Sequence, residues 1–164
     1  VNNDILPEGA KKIQEWLRKR DFTNTVVMLP EGAATVEAAA KALKTKPEQI
    51  AKSIVFTGVK SGRPFLAIAS GVNRIDEKKM EKLVGEKVKK AEAAFVKEAT
   101  GFSIGGVAPM GHWQKIETLV DGDLENYKDI WAAAGHPTAV FMLNFEELLK
   151  MTCGKKAEIK AFSK

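Results

Sequence analysis

Two apolar runs, Ser53-Ile-Val-Phe56 and Pro64-Phe-Leu-Ala-Ile-Ala69, lie on either side of Gly58-Val-Lys-Ser-Gly62 in the middle of the chain. Such runs, bounded by glycine, read as two strands joined by a hairpin turn. A hairpin here breaks the strict strand–helix alternation of a doubly wound sheet. Before it, Pro7 stands in the first turn of a helix capped by Asn3 or Asp4, with Ile13, Trp16 and Leu17 at helical spacing and an end near Asp21. Thr25-Val-Val-Met-Leu29 reads as a short strand closed by Pro30-Glu-Gly32. Thr35 caps an alanine-rich helix running to Leu43, and residues 47–50 add one helical turn. After the hairpin, residues 76–84 and 92–99 read as helices, the second stopped by Thr100-Gly101. Residues 116–120, 129–134 and 138–143 are strand candidates, 145–151 a helix, and 157–160 a final edge strand. The expected architecture is one α+β domain over residues 1–164, a mixed, partly closed, barrel-like sheet flanked by short helices.

Composition narrows the function classes. Lys and Arg number 26 against 21 Asp and Glu, and the net charge of +5 permits a nucleic-acid partner without requiring one. An apolar content of 45% argues against a disordered chain. Cys153, the single cysteine, cannot form an internal disulfide, and with two scattered histidines it cannot build a metal cluster. Its place at the end of an apolar helix predicts a buried, inert thiol. The longest apolar run, residues 130–135, is far shorter than the ~18–20 residues of a membrane span, so no membrane partner is expected. Residues 1–20 alternate charged and apolar positions as an amphipathic helix does, unlike a signal peptide, and a reduced cytoplasmic compartment follows. Val1 in place of methionine is expected from loss of an initiator or a short leader.

The densest glycine segment is Thr100-Gly-Phe-Ser-Ile-Gly-Gly-Val-Ala-Pro-Met-Gly-His112. Gly105-Gly106 lets a ligand approach the backbone, Pro109 stiffens the turn, and Gly111 allows another unusual torsion. Exposed backbone groups of such a loop can hold a small ligand or stabilise an oxyanion, although a plain connector has the same composition. Neither the P-loop spacing nor Gly-x-Gly-x-x-Gly is present, which disfavours nucleotide hydrolysis and dinucleotide redox chemistry. Lys52 opens an otherwise apolar strand, on the same face as Ile54 and Phe56 and opposite Ser53 and Val55. It is either an edge-blocking charge or a cation that holds a carbonyl, carboxylate or phosphate. His112 and His136 stand beside glycines as possible bases, but no Gly-x-Ser-x-Gly nucleophile motif accompanies them. Asp121 and Asp123 read as a turn, and Trp113 follows the glycine loop where it could line a pocket. Lysines at 78, 79, 82, 87, 89, 90 and 97 form either a solvated face or a phosphate-tracking patch.

Taken in order, several segments resemble the YbaK/prolyl-tRNA-synthetase-associated editing domains. They are Thr35-x-Glu-Ala-Ala39, Gln49-Ile-x-Lys-Ser-Ile-Val-Phe56 and Ala69-Ser-Gly-Val-Asn-Arg-Ile-Asp76. Thr100-Gly101 with Gly105-Gly-Val-Ala-Pro-Met-Gly-His112, then Trp131-Ala-Ala-Ala-Gly-His-Pro-Thr-Ala-Val-Phe141 and Phe145-Glu-Glu-Leu-Leu149, complete the series. The resemblance implies a mixed α/β barrel-like fold and a free-standing hydrolase that removes a wrongly attached amino acid from the 3′ acceptor end of a tRNA. It implies no cofactor and no metal: water attacks the ester, helped by a neighbouring ribose hydroxyl. With it, Lys52, Gly105 and Gly106 become the expected catalytic positions, and Thr35, Val107, Pro109, Gly111, His112 and His136 the expected substrate-binding ones. The cysteine-editing branch carries an acidic residue shortly after the glycine matching Gly135; this chain reads His136-Pro-Thr-Ala-Val-Phe141 there. An alanine-, serine- or threonine-like target is therefore open. So is a non-catalytic relative that binds tRNA or an aminoacyl-tRNA synthetase.

Overall fold

The computed structural model describes residues 5–162. Five helices are formed by α1 (Glu8–Lys19), α2 (Val36–Leu43), α3 (Glu77–Val84), α4 (Ala93–Thr100) and α5 (Phe145–Thr152). Eight strands are formed by β1 (Val26–Met28), β2 (Ile50–Gly58), β3 (Pro64–Ser70), β4 (Val88–Lys90), β5 (Glu117–Asp121), β6 (Ile130–Ala133), β7 (Ala139–Leu143) and β8 (Lys155–Ala157). Short polar side chains fix several helix starts. Thr35 Oγ1 accepts from Ala38 N at the head of α2, and Asp76 accepts from Lys78 N and Lys79 N at that of α3. Asn144 and Glu147 form a reciprocal capping box on α5. Pro7 occupies the cap position of α1; the expected cap at Asn3 or Asp4 lies outside the described residues.

The strands join in one mixed, partly open sheet in the order β1-β7-β6-β2-β3-β5-β8, with β4 added to β2. The β2–β3 hairpin is antiparallel from Ala51↔Ser70 to Thr57↔Pro64. β5 joins β3 and β8 joins β5 in parallel, while β7 pairs antiparallel with both β6 and β1. β3 is buried from Phe65 to Ser70, which explains its unbroken apolar run: both faces of the sheet are covered there. On one face Leu66 and Ile68 meet Ile13 and Leu17 of α1, Val96 of α4 and Leu148 of α5. On the other, Phe56, Phe65 and Ala67 pack with Met80 of α3, while Ile50 and Val140 pack under Ala39 and Ala40 of α2. α1 also crosses the β6–β7 turn very closely. A Cβ at Gly9 would overlap the Gly135 carbonyl, and one at Gly135 would meet the Gly9 carbonyl carbon at 2.8 Å.

Two sequence expectations need correction, and one strand is not expected from the sequence at all. β4 falls in a charged stretch with no strand pattern, and it forms because Val88–Lys90 pairs with the far end of β2. The last strand lies at Lys155–Ala157, where the backbone pairs with β5, and Lys160 makes only an isolated bridge to Ile75. Cys153 is exposed: it is the C-cap residue of α5 with a left-handed φ of 55°, which turns the chain outward before it reaches the core.

Candidate active site

The sheet divides along one edge of β2. β6 pairs only with Ile50 and Ala51, and β4 pairs only from Phe56 onward, so residues 52–55 face an opening between them. Val55 O, on that edge, accepts from Ala91 N at 3.0 Å. Backbone groups alternate along a strand, which turns the N–H and C=O of Ser53 to the same edge. A cavity of about 210 Å³ fills the opening. Its walls come from four distant segments: Ala33 to Val36 with Ala39, Ile50 to Ser53, Gly105 with Val107, and the β6–β7 turn from Trp131 to Val140.

Lys52 and Thr35 bring polar side chains to it, and Ser53 borders it from the next position of β2. Ile50, Ile54 and Phe56 share the Lys52 face, so the ammonium lies between the α2 and α3 clusters. Lys52 Nζ donates to Gly71 O at 3.2 Å. Burial pushes the Lys52 pKa below its ordinary value, the Lys90 charge lowers it further, and Glu37 and Asp121 act in the opposite sense. The turn that presents Gly71 is held from behind. Asp121 Oδ2 accepts from Ser70 N at 3.0 Å and Asn73 Nδ2 at 2.8 Å, and Asp123 Oδ2 accepts from Asn73 Nδ2 at 2.9 Å and Lys160 Nζ at 2.7 Å. The acidic pair, expected only to form a turn of its own, thus braces the turn at Gly71. Ser53 Oγ is buried and has no hydrogen-bond partner among the described residues. An orphan buried hydroxyl is unusual, and this one lies on the face of β2 opposite Lys52.

Gly105 forms the loop's rim. Gly106 N donates to Ser103 O at 3.0 Å, and Gly105, third in that turn, has φ 93°, a torsion open to glycine at little cost. Gly106 is needed for space: a Cβ there would meet backbone atoms of His136 at 2.9–3.0 Å. Loop and β6–β7 turn are therefore in direct contact. Of the expected site residues, Thr35, Lys52, Gly105 and Val107 line the cavity, the Thr35 hydroxyl being engaged in capping α2. Gly106 and His136 line a second hollow beside it. His136 Nδ1 accepts from Thr138 N at 3.3 Å. Pro109, Gly111 and His112 lie on another surface, with Trp16 and Met151. Burial holds His112 below its ordinary pKa, and its Nε2 lies 2.7 Å from Ala108 O, the contact of a neutral ring that donates there.

Sequence reasoning did not single out Ser53, Trp131 or the small residues of the walls. Only the strand alternation at Ser53 carried a signal, because lacking a partner is a tertiary property. Among the described residues, no group of three or more His, Cys, Asp or Glu side chains could hold a metal, and no helix is long and apolar enough to cross a membrane.

Comparison with known proteins points the same way. Residues 30–151 match the sequence profile of the aminoacyl-tRNA editing domain. The chain is 31% identical over 141 residues to the uncharacterized protein YwhH of Bacillus subtilis (strain 168), covering 86% of this chain and 87% of YwhH. It is 31% identical over 132 residues to EbsC of Enterococcus faecalis (strain ATCC 700802 / V583), a candidate Cys-tRNA(Pro)/Cys-tRNA(Cys) deacylase by name, covering 79% of each. A crystal structure described as that of a candidate trans-editing enzyme for prolyl tRNA synthetase superposes with a TM-score of 0.91 at 39% identity, covering 95% of this chain and 99% of that one.

Proposed function

The chain belongs to the aminoacyl-tRNA editing domain family, and on that premise we propose that it is a trans-acting deacylase of mischarged tRNA. The observation that carries this reading is that the half-buried Lys52 and the backbone rim at Gly105 line one small cavity. An aminoacyl ester is already activated, so orientation and an electrophilic surrounding are enough to speed its hydrolysis. Lys52 anchors the ester and terminal nucleotide by charge, Gly105 admits the acyl group closely, and Gly106 keeps the loop seated on the His136 turn. Water adds to the acyl carbon, the bond to the ribose oxygen breaks, and that oxygen takes up a proton, leaving a free amino acid and tRNA. The neighbouring ribose hydroxyl assists the attack. No step uses a metal ion, so EDTA is expected to leave turnover unchanged.

A volume of about 210 Å³ walled by Ala33, Ala39, Ala132 and Val140 favours a small amino acid. Hydrophobic walls of this kind discriminate by about 1–3 kcal/mol per methylene. The names of EbsC and of the superposed structure support tRNA(Pro), or a related tRNA, as carrier. With no carboxylate in the segment 136–141, alanine, serine and threonine esters are the expected targets ahead of cysteine. The function is tested by presenting purified protein with a panel of mischarged tRNAs. Selective cleavage is expected for the wild type, and loss of turnover with unchanged circular dichroism for Lys52→Ala. Wild-type turnover by that variant would remove Lys52 from the mechanism, and a panel hydrolysed no faster than in buffer would leave a tRNA- or synthetase-binding relative.

A further inference from the structure

Beside the acyl cavity lies a larger hollow of about 550 Å³ between α1 and the glycine loop. The two share Pro137, and the Gly105–Gly106 peptide is the ridge between them. Its base carries the most exposed large aromatic ring of the loop: Trp113 is 66% accessible. The indole edge rests on Gly101, where a Cβ would meet Nε1 at 2.7 Å. Lys12 Nζ stands 4.0 Å from the Trp113 ring centroid and 5.3 Å from that of Phe102. Lys11 and Lys97 add two more cations to the walls, against the carboxylates of Glu8 and Glu15. An exposed ring with a cation beside it is the unit that binds single-stranded nucleic acid: the ring takes a base, the cation its phosphate.

We propose that this hollow seats the unpaired 3′ end of the tRNA, with a nucleobase stacked on Trp113 and the adjoining phosphate paired with Lys12. The inference rests on the deacylase reading of the neighbouring cavity, because an acyl group held there places its ribose at the shared rim and sends the preceding nucleotides outward. In the free protein the Lys12 ammonium covers the ring face. The arriving base displaces it, and the flexible side chain exchanges a cation–π contact for an ion pair with phosphate.

The test uses the ribotrinucleotide CCA and the intrinsic fluorescence of the intact protein. CCA is expected to quench the wild type strongly and Trp113→Leu much less, since Trp16 lies on another surface and Trp131 on the wall of the neighbouring cavity. Lys12→Met is expected to weaken binding about tenfold and to reduce the slope of log affinity against log salt by roughly 0.7. With a mischarged minihelix, Trp113→Leu is expected to raise KM about tenfold with kcat within about twofold. Hydrolysis of the matching aminoacyl-adenosine, which lacks the preceding nucleotides, stays unchanged. Equal quenching of both proteins, absence of CCA binding by the wild type, or an unaltered minihelix KM overturns the proposal. If the wild type binds CCA but cleaves no ester, the deacylase reading falls and the groove assignment stands.

Discussion

At Lys52 burial and the charge of Lys90 draw the pKa down from the ordinary lysine value of 10.5, while Glu37 and Asp121 pull it up. In the proposed mechanism the protonated amine anchors the ester, so activity is expected to be lost as pH rises through the lowered pKa. After correction for the buffer rate, kcat/KM is expected to fall on the alkaline side at a pH below that of an ordinary lysine. Lys90→Met removes a repulsion and is expected to move this fall to higher pH; Glu37→Gln removes an attraction and moves it lower. A pH–rate profile unmoved by either change would detach the titration from Lys52. The strand pattern alone left Lys52 as either an edge-blocking charge or a ligand-holding cation, and only the family resemblance singled it out. Ser53 beside it was not legible. A serine in a strand is ordinary, and only the folded structure shows its hydroxyl without a partner.

Among elements, the glycine loop and the β6–β7 turn act as one unit, and the two adjacent glycines differ in why they are needed. Gly106→Ala forces a Cβ against the His136 backbone, which costs about 1–3 kcal/mol and separates loop from turn. Gly105→Ala meets no atom within 4 Å and pays only for its left-handed torsion, about 1–2 kcal/mol. Both variants are expected to melt lower than the wild type, Gly106→Ala the more, whereas Gly105→Ala, whose Cβ enters the cavity, is expected to lose more of kcat/KM. Thermal unfolding followed by steady-state kinetics checks this, and equal kinetic losses would refute the distinction. Elements with an apolar period or a side-chain cap, such as β2, β3, α2 and α3, could be read from sequence. β4 and β8 could not, because Lys89, Lys90, Lys155 and Lys156 are exposed and these edges exist through backbone pairing.

On the scale of the whole molecule, the acyl cavity is assembled from four segments spread between residues 33 and 140. No local pattern announces such a convergence, although ordered segments did announce the fold that produces it. The strands carry the floor, whereas the walls belong to connections and to the first turn of α2. The tight Gly9–Gly135 crossing ties one of those walls to α1. Ala134 N donates to Ala139 O at 2.8 Å and Ala139 N to His136 O at 3.0 Å, closing the turn that carries Pro137 into the cavity. The helix therefore works as a latch on a turn more than a hundred residues away. In native-state hydrogen exchange, the Ala134 and Ala139 amides are expected to exchange only when α1 lifts, at the rate shown by Leu17. Gly9→Ala, which wedges the latch, is expected to speed all three together and leave Leu66 slow.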